Sequence, residues 1–171
     1  MSCCSYCIEK LFSNDIIKKQ ERGAKMTLEK YRVLHSTLIE QYQMIEFDLE
    51  GLYAVVSNEG FIAGLAEVEN DSMGRILKDF KILEKEQNVE IFSDDDYQKL
   101  REICERRNFW CHECYTKDSY IKETQTPKNE NLLIPDICTA KEMLKRVREL
   151  KDSFFESGRE RIADELWKEL L

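Results

Sequence analysis

The chain has 171 residues, 35% charged and 42% hydrophobic, enough for one domain with a sizeable core and too short for two comfortable ones. Only six Gly and two Pro occur in it, too few turn formers for a many-stranded sheet, so helices are expected. A net charge of −8 excludes a protein that coats DNA or an anionic membrane by bulk electrostatics, although a local basic patch remains open.

Residues 1–26 form an N-terminal extension, holding either a short helix around residues 6–20 or a partly disordered segment. Its start, MSCCSYCIEKLF, lacks a basic stretch followed by an apolar run, and no window approaches the roughly 18 apolar residues of a membrane span. The expected location is the cytosol, with no membrane partner. Seven cysteines without an export signal fit reduced thiols better than a disulfide framework. Cys3, Cys4 and Cys7 crowd this extension, and no role follows for them from the sequence.

From Leu28 to Val56, apolar positions recur at alternating steps of three and four, broken only by His35. This predicts a first helix over about 27–57 with Thr27 as N-cap. Residues 57–60, SNEG, read as a tight connection. Phe61, Leu65, Val68, Met73, Ile76, Phe80 and Leu83 then predict a second helix to about residue 84. Residues 84–93 read as a loop whose Ile91 and Phe92 tuck into the core. Ser93 followed by Asp94, Asp95 and Asp96 is a strong helix start, predicting a third helix over about 94–123. Residues 124–136, TQTPKNENLLIPD, contain both prolines and read as irregular. Thr139 with Glu142 has the capping-box pattern and predicts a fourth helix running to the C-terminus. The expected fold of residues 27–171 is therefore all-α, an up-and-down four-helix bundle of long helices behind a short N-terminal extension.

The third helix carries RRNFWCHECY, residues 106–115. Its expected core register, 97, 100, 104, 107, 111, 114, 118 and 121, is interrupted by two charges, Arg107 and Asp118. A guanidinium at a poorly solvated position needs paired acceptors or an anionic ligand, so Arg107 is either a structural ion pair or a ligand-binding group. Asn108, His112 and Tyr115 line up along the flank beside it, and Phe109 is expected further round, exposed in a monomer. Cys111 and Cys114 have CxxC spacing, but both fall on the apolar seam, where buried thiols explain them without zinc. His35, on the seam of the first helix, reads as a hydrogen-bonded core residue and a secondary site candidate.

Arg107-Asn108 followed by His112, on the third long helix of a four-helix bundle, resembles the signature of the HEPN superfamily. The helix layout extends the resemblance over about residues 27–170, while only the motif is specific. The resemblance implies a metal-independent endoribonuclease without a cofactor, acting on single-stranded RNA as a homodimer whose two motifs face each other. Many such proteins are toxins of toxin–antitoxin or abortive-infection systems. The subgroup paired with a nucleotidyltransferase antitoxin has a Tyr two residues after the His, whereas Tyr115 stands three after His112.

Metal-free RNA cleavage uses the ribose 2′-OH as nucleophile, so it needs a base, an acid for the leaving oxygen and a cation for the phosphate. His112 offers an imidazole for proton transfer, Arg107 offers a planar fork of donors, and Asn108 can orient either partner. Phe109 and Tyr115 are the candidate RNA contacts beside them. Lys145 and Arg148, with Arg146 and Lys151, form a basic cluster that either tracks the strand or is a solvated face balanced by Glu142 and Glu149. Two rivals stand beside this expectation. One is a non-catalytic module of the same fold that binds a nucleotide or mediates dimerisation. The other is a zinc-stabilised adaptor built on Cys111 and Cys114.

Overall fold

A computed structural model of the protein describes residues 26–114, 120–121, 126–127 and 129–170. The expected extension, with Cys3, Cys4 and Cys7, lies outside the described residues, apart from Met26. Five α-helices are described: α1 (Leu28–Val56), α2 (Phe61–Val68), α3 (Met73–Gln87), α4 (Asp94–Asn108) and α5 (Glu130–Leu170). A π-turn, Phe109–Glu113, continues α4, and a two-residue antiparallel pair joins Tyr120–Ile121 to Thr126–Pro127. None of the described helices is long and apolar enough to cross a membrane.

α1 is the central element and matches its expected bounds, with the Thr27 hydroxyl accepting the Lys30 N–H at 3.2 Å. Its stripe Tyr31, Leu38, Tyr42, Ile45, Leu49 and Leu52 is buried against α5, where Leu133, Ile137, Ala140, Leu144 and Val147 repeat the same period. Aromatic edges close the other side of the core: Phe80 meets Tyr53 and Phe92, and Phe92 meets Tyr97, all at T-shaped angles.

The expected second helix is two. The step from Val68 to Met73 spans five residues, and the Asn70 and Asp71 N–H groups both turn back to the Val68 carbonyl, ending α2. α2 is held at two points in its first half. A Cβ on Gly64 would come within 2.6 Å of Ser57 Cβ, so only glycine permits this approach to α1. At its N-terminus, the Phe61 N–H donates to Glu165 Oε2 of α5 at 2.6 Å.

Ile91 and Phe92 are buried as expected, because both N–H groups donate to Glu84 Oε1 at 2.8 Å while Glu84 Oε2 accepts from the Tyr97 hydroxyl. Ser93 and Asp96 complete a reciprocal capping box at the start of α4. The expected continuous third helix to residue 123 is overturned by the π-turn and by the extended pair that begins at Tyr120. The fourth helix starts nine residues earlier than Thr139, at Glu130, and takes in Pro135. Pro135 forgoes one backbone bond near the helix start, and burial of Leu133 and Ile137 offsets that loss. Thr139 is consequently no cap: inside the helix, its hydroxyl donates back to the Pro135 carbonyl at 3.1 Å.

Candidate active site

The motif residues sit where α4 gives way to the π-turn. The Cys114 N–H reaches back five residues to the Phe109 carbonyl at 2.9 Å, the signature bond of that wider turn. The Trp110 carbonyl instead accepts from the Cys114 thiol at 2.9 Å and from His35 Nε2 at 3.0 Å. A carbonyl only accepts, so His35 carries its proton on Nε2. His35 also stacks on Tyr31 and tilts against Trp110, which makes it a structural partner of the turn.

Trp110, not Cys111, fills the inward position. Its ring is fully buried, and its indole N–H donates to Asp136 Oδ2 at 2.5 Å. Arg106 Nε and Nη2 reach the same oxygen at 2.8 and 2.6 Å. One carboxylate on α5 thereby fixes the end of α4 and the first residues of the π-turn. Burial, and then the charge of Asp136, push the nearby Tyr42 hydroxyl above its usual range.

Arg107 leans toward α1, with Nη2 2.8 Å from Glu46 Oε2 and its side chain 28% exposed. Glu46 Oε1 accepts the Met73 N–H at 3.0 Å, so the carboxylate joins α1, α3 and α4. Among the described residues the other guanidinium N–H groups of Arg107 have no acceptor. Asn108 and His112 are exposed and have no protein partner among the described residues. Five residues on an ideal α-helix stand about 140° apart around the axis, which would point His112 away from Arg107. A π-turn rotates less per residue than an α-helix, so it lowers that angular offset.

Phe109 differs from expectation. It is partly buried, edge-on to Trp110 at 5.0 Å with the Arg106 guanidinium over its ring, and so packs within the monomer. Tyr115 and Asp118 lie outside the described residues. Arg148 and Lys151 both hold the buried Asp48, Arg146 reaches Asp96 at 3.4 Å, and exposed Lys145 lies 3.7 Å from Glu149. That cluster is largely paired internally, so it offers little free charge to a strand.

Cys111 is exposed and Cys114 buried, and both are free thiols. Burial pushes the Cys114 thiol up to about 11, and does the same for Cys104, where Arg107 pulls the other way. Among the described residues no group of three or more His, Cys, Asp or Glu side chains is placed to hold a metal ion. Trp110, Asp136 and Glu46 are the site-building residues that sequence reasoning missed. The only signal was for Trp110, an aromatic of core size inside the motif. No protein-family model, curated protein or solved structure matches the chain.

Proposed function

We propose that this protein is a metal-independent endoribonuclease of HEPN type, a homodimer serving as a toxin or abortive-infection effector that cleaves single-stranded RNA. The observation that carries the reading is the π-turn within the motif, with His112 and Asn108 exposed and Arg107 held by Glu46 with donors to spare. π-turns inside helices recur at functional sites because they re-aim side chains at the cost of regular bonding. In this reading α2 and α3 count as one interrupted arm, which leaves four segments, the number in the expected bundle.

In this reading the imidazole of His112 takes the proton of the ribose 2′-OH, whose oxygen attacks the adjacent phosphorus. Arg107 binds the phosphoryl oxygens as charge accumulates, and Asn108 orients the 2′-OH. The 5′-oxygen leaves as a hydroxyl after taking a proton, and the strand ends in a 2′,3′-cyclic phosphate. One imidazole does not serve as acid and base together, so the second proton comes from His112 of the second copy. An antitoxin, or a nucleotidyltransferase acting as one, is the partner that would restrain such an enzyme.

The Arg107–Glu46 pair favours a second reading. A guanidinium already neutralised by a carboxylate also suits a non-catalytic module that binds a nucleotide or mediates dimerisation. Incubating wild-type protein and His112→Ala with single-stranded RNA in EDTA separates the two: cleavage that depends on His112 supports the enzyme, and an intact panel of RNAs supports the module.

A further inference from the structure

Between α3 and α4 runs a half-open groove of about 380 Å³, a volume within the range of small-ligand sites. Leu77, Tyr97 and Cys104 contribute its apolar surface, and Lys78, Lys81 and Arg101 stand around it. None of these three cations has a carboxylate within ion-pair distance among the described residues, whereas Lys145, Arg146, Arg148 and Lys151, midway along α5, are paired. Lys81 rests on the Tyr97 ring, 4.5 Å from its centroid, which fixes the ammonium at the groove edge. In a chain of net charge −8, three unneutralised cations around one apolar concavity make a local anion-attracting field.

The groove also leads to the motif. On α4 its residues Tyr97, Arg101 and Cys104 follow helical steps whose continuation is Asn108, about 10 Å further along the axis than Arg101. On α3 the groove includes Gly74, next to Met73, whose N–H donates to the carboxylate that holds Arg107.

We infer that this groove binds a nucleotide of the single-stranded RNA next to the scissile one, its base against Leu77 and Cys104 and its flanking phosphates on Lys78, Lys81 and Arg101. The inference rests on the ribonuclease reading for its choice of RNA. Charge complementarity selects the occupant: a base fits a small apolar concavity, and several cations on two helices suit successive phosphates better than one carboxylate. Glu105, the one acid lining the groove, is an acceptor for an exocyclic base amine.

The test measures binding of a labelled 2′-O-methyl RNA hexamer, which lacks the attacking hydroxyl, so binding is read apart from cleavage. Two variants probe the groove by different means. In Lys78→Gln/Lys81→Gln/Arg101→Gln the charge is gone. Gly74→Leu puts a side chain into the groove at a position where a Cβ meets no atom within 4 Å, and a melting curve checks that it folds. We expect about tenfold or weaker binding for each, and for the triple variant a salt dependence shallower by about two in log–log slope. Wild-type affinity in both folded variants overturns the inference, as does a wild type that fails to bind the hexamer. A free nucleoside monophosphate that binds as tightly as the hexamer also overturns it, marking a small-molecule site. Binding that depends on the groove, in a protein that cuts no RNA, sinks the catalytic reading and leaves the groove standing as an RNA-binding site. RNA cleavage that is unchanged in both variants, with unchanged binding, does the reverse.

Discussion

Arg107 Nη2 lies 2.8 Å from Glu46 Oε2, and the other oxygen of that carboxylate accepts the Met73 N–H at 3.0 Å, so one side chain of α1 holds both the motif arginine and the start of α3. Glu46 therefore acts as a placeholder as well as a tether, occupying part of the guanidinium that a phosphate would need.

Replacing Glu46 by Gln keeps an acceptor for Met73 and removes the charge that competes for Arg107. The expected result is a modest stability loss of about 1 kcal/mol, since the pair is partly exposed, together with tighter RNA binding. Arg107→Lys should impair cleavage nearly as much as Arg107→Ala, because an ammonium does not reproduce the planar fork. Thermal melts and steady-state cleavage on the same preparations check both. Full activity in Arg107→Lys would show that a point charge suffices.

Asp136→Ala strands a buried indole N–H and releases Arg106. We expect a loss of about 2–3 kcal/mol, seen as a lower midpoint in urea unfolding. Trp110 fluorescence, read against Trp167 alone in Trp110→Phe, should report the turn loosening before the rest unfolds. An unchanged midpoint would mean that Asp136 is not what anchors the π-turn.

Cys104 and Cys114 are pushed up from 9.0 to about 11 by burial. Between those values the unfolded chain has released protons that the folded one still holds, so stability falls as pH rises from about 9 to 11. Tyr53, pushed up to about 12 by burial and then by Glu67, extends the loss above pH 10. At pH 8, iodoacetamide should modify exposed Cys111 and Cys138 at least about tenfold faster than Cys104 and Cys114. Peptide mass spectrometry over time reads the order, and early labelling of Cys114 would contradict its burial.

Much of this fold is legible in the sequence because it rests on local rules. The stripe of α1 and the Ser93 cap of α4 each involve residues within a few positions of one another. The missed features have several causes. The break at residues 69–72 was visible in the five-residue step before Met73 and in the turn formers Asn70, Asp71 and Ser72, but a continuing apolar period masked it. The early start of α5 runs against Pro135, whose cost is offset by burial that only the packed structure reveals. In the site, Arg107 was readable as a charge at a poorly solvated position, while its partner Glu46 stands 61 positions away and no local pattern names it. The expected seam is off by one before the π-turn begins, taking Cys104 where Ile103 is buried and, seven residues on, Cys111 where Trp110 is, and a wheel drawn at constant pitch does not predict the π-turn itself.

The dimer is expected to form through the flank that bears Asn108 and His112, because both are exposed and unpartnered among the described residues while Phe109 packs inward. Sedimentation equilibrium should give twice the chain mass at micromolar concentration, and His112→Glu, which opposes like charges across a two-fold axis, should shift it toward monomer. A wild type that stays monomeric at that concentration removes the second imidazole that the mechanism requires.

The most direct measurement is the cleavage of a panel of single-stranded RNAs in EDTA by wild type and His112→Ala, with melting curves of both. His112 is exposed, so its truncation should shift the melting temperature little, whereas loss of a general base or acid should slow cleavage by about a hundredfold or more. A HEPN-type ribonuclease should give EDTA-insensitive cutting by the wild type, 2′,3′-cyclic phosphate ends and a folded, inactive variant. Equal cutting by both proteins would place the chemistry elsewhere, and no cutting of any RNA by a folded wild type would contradict the enzyme outright.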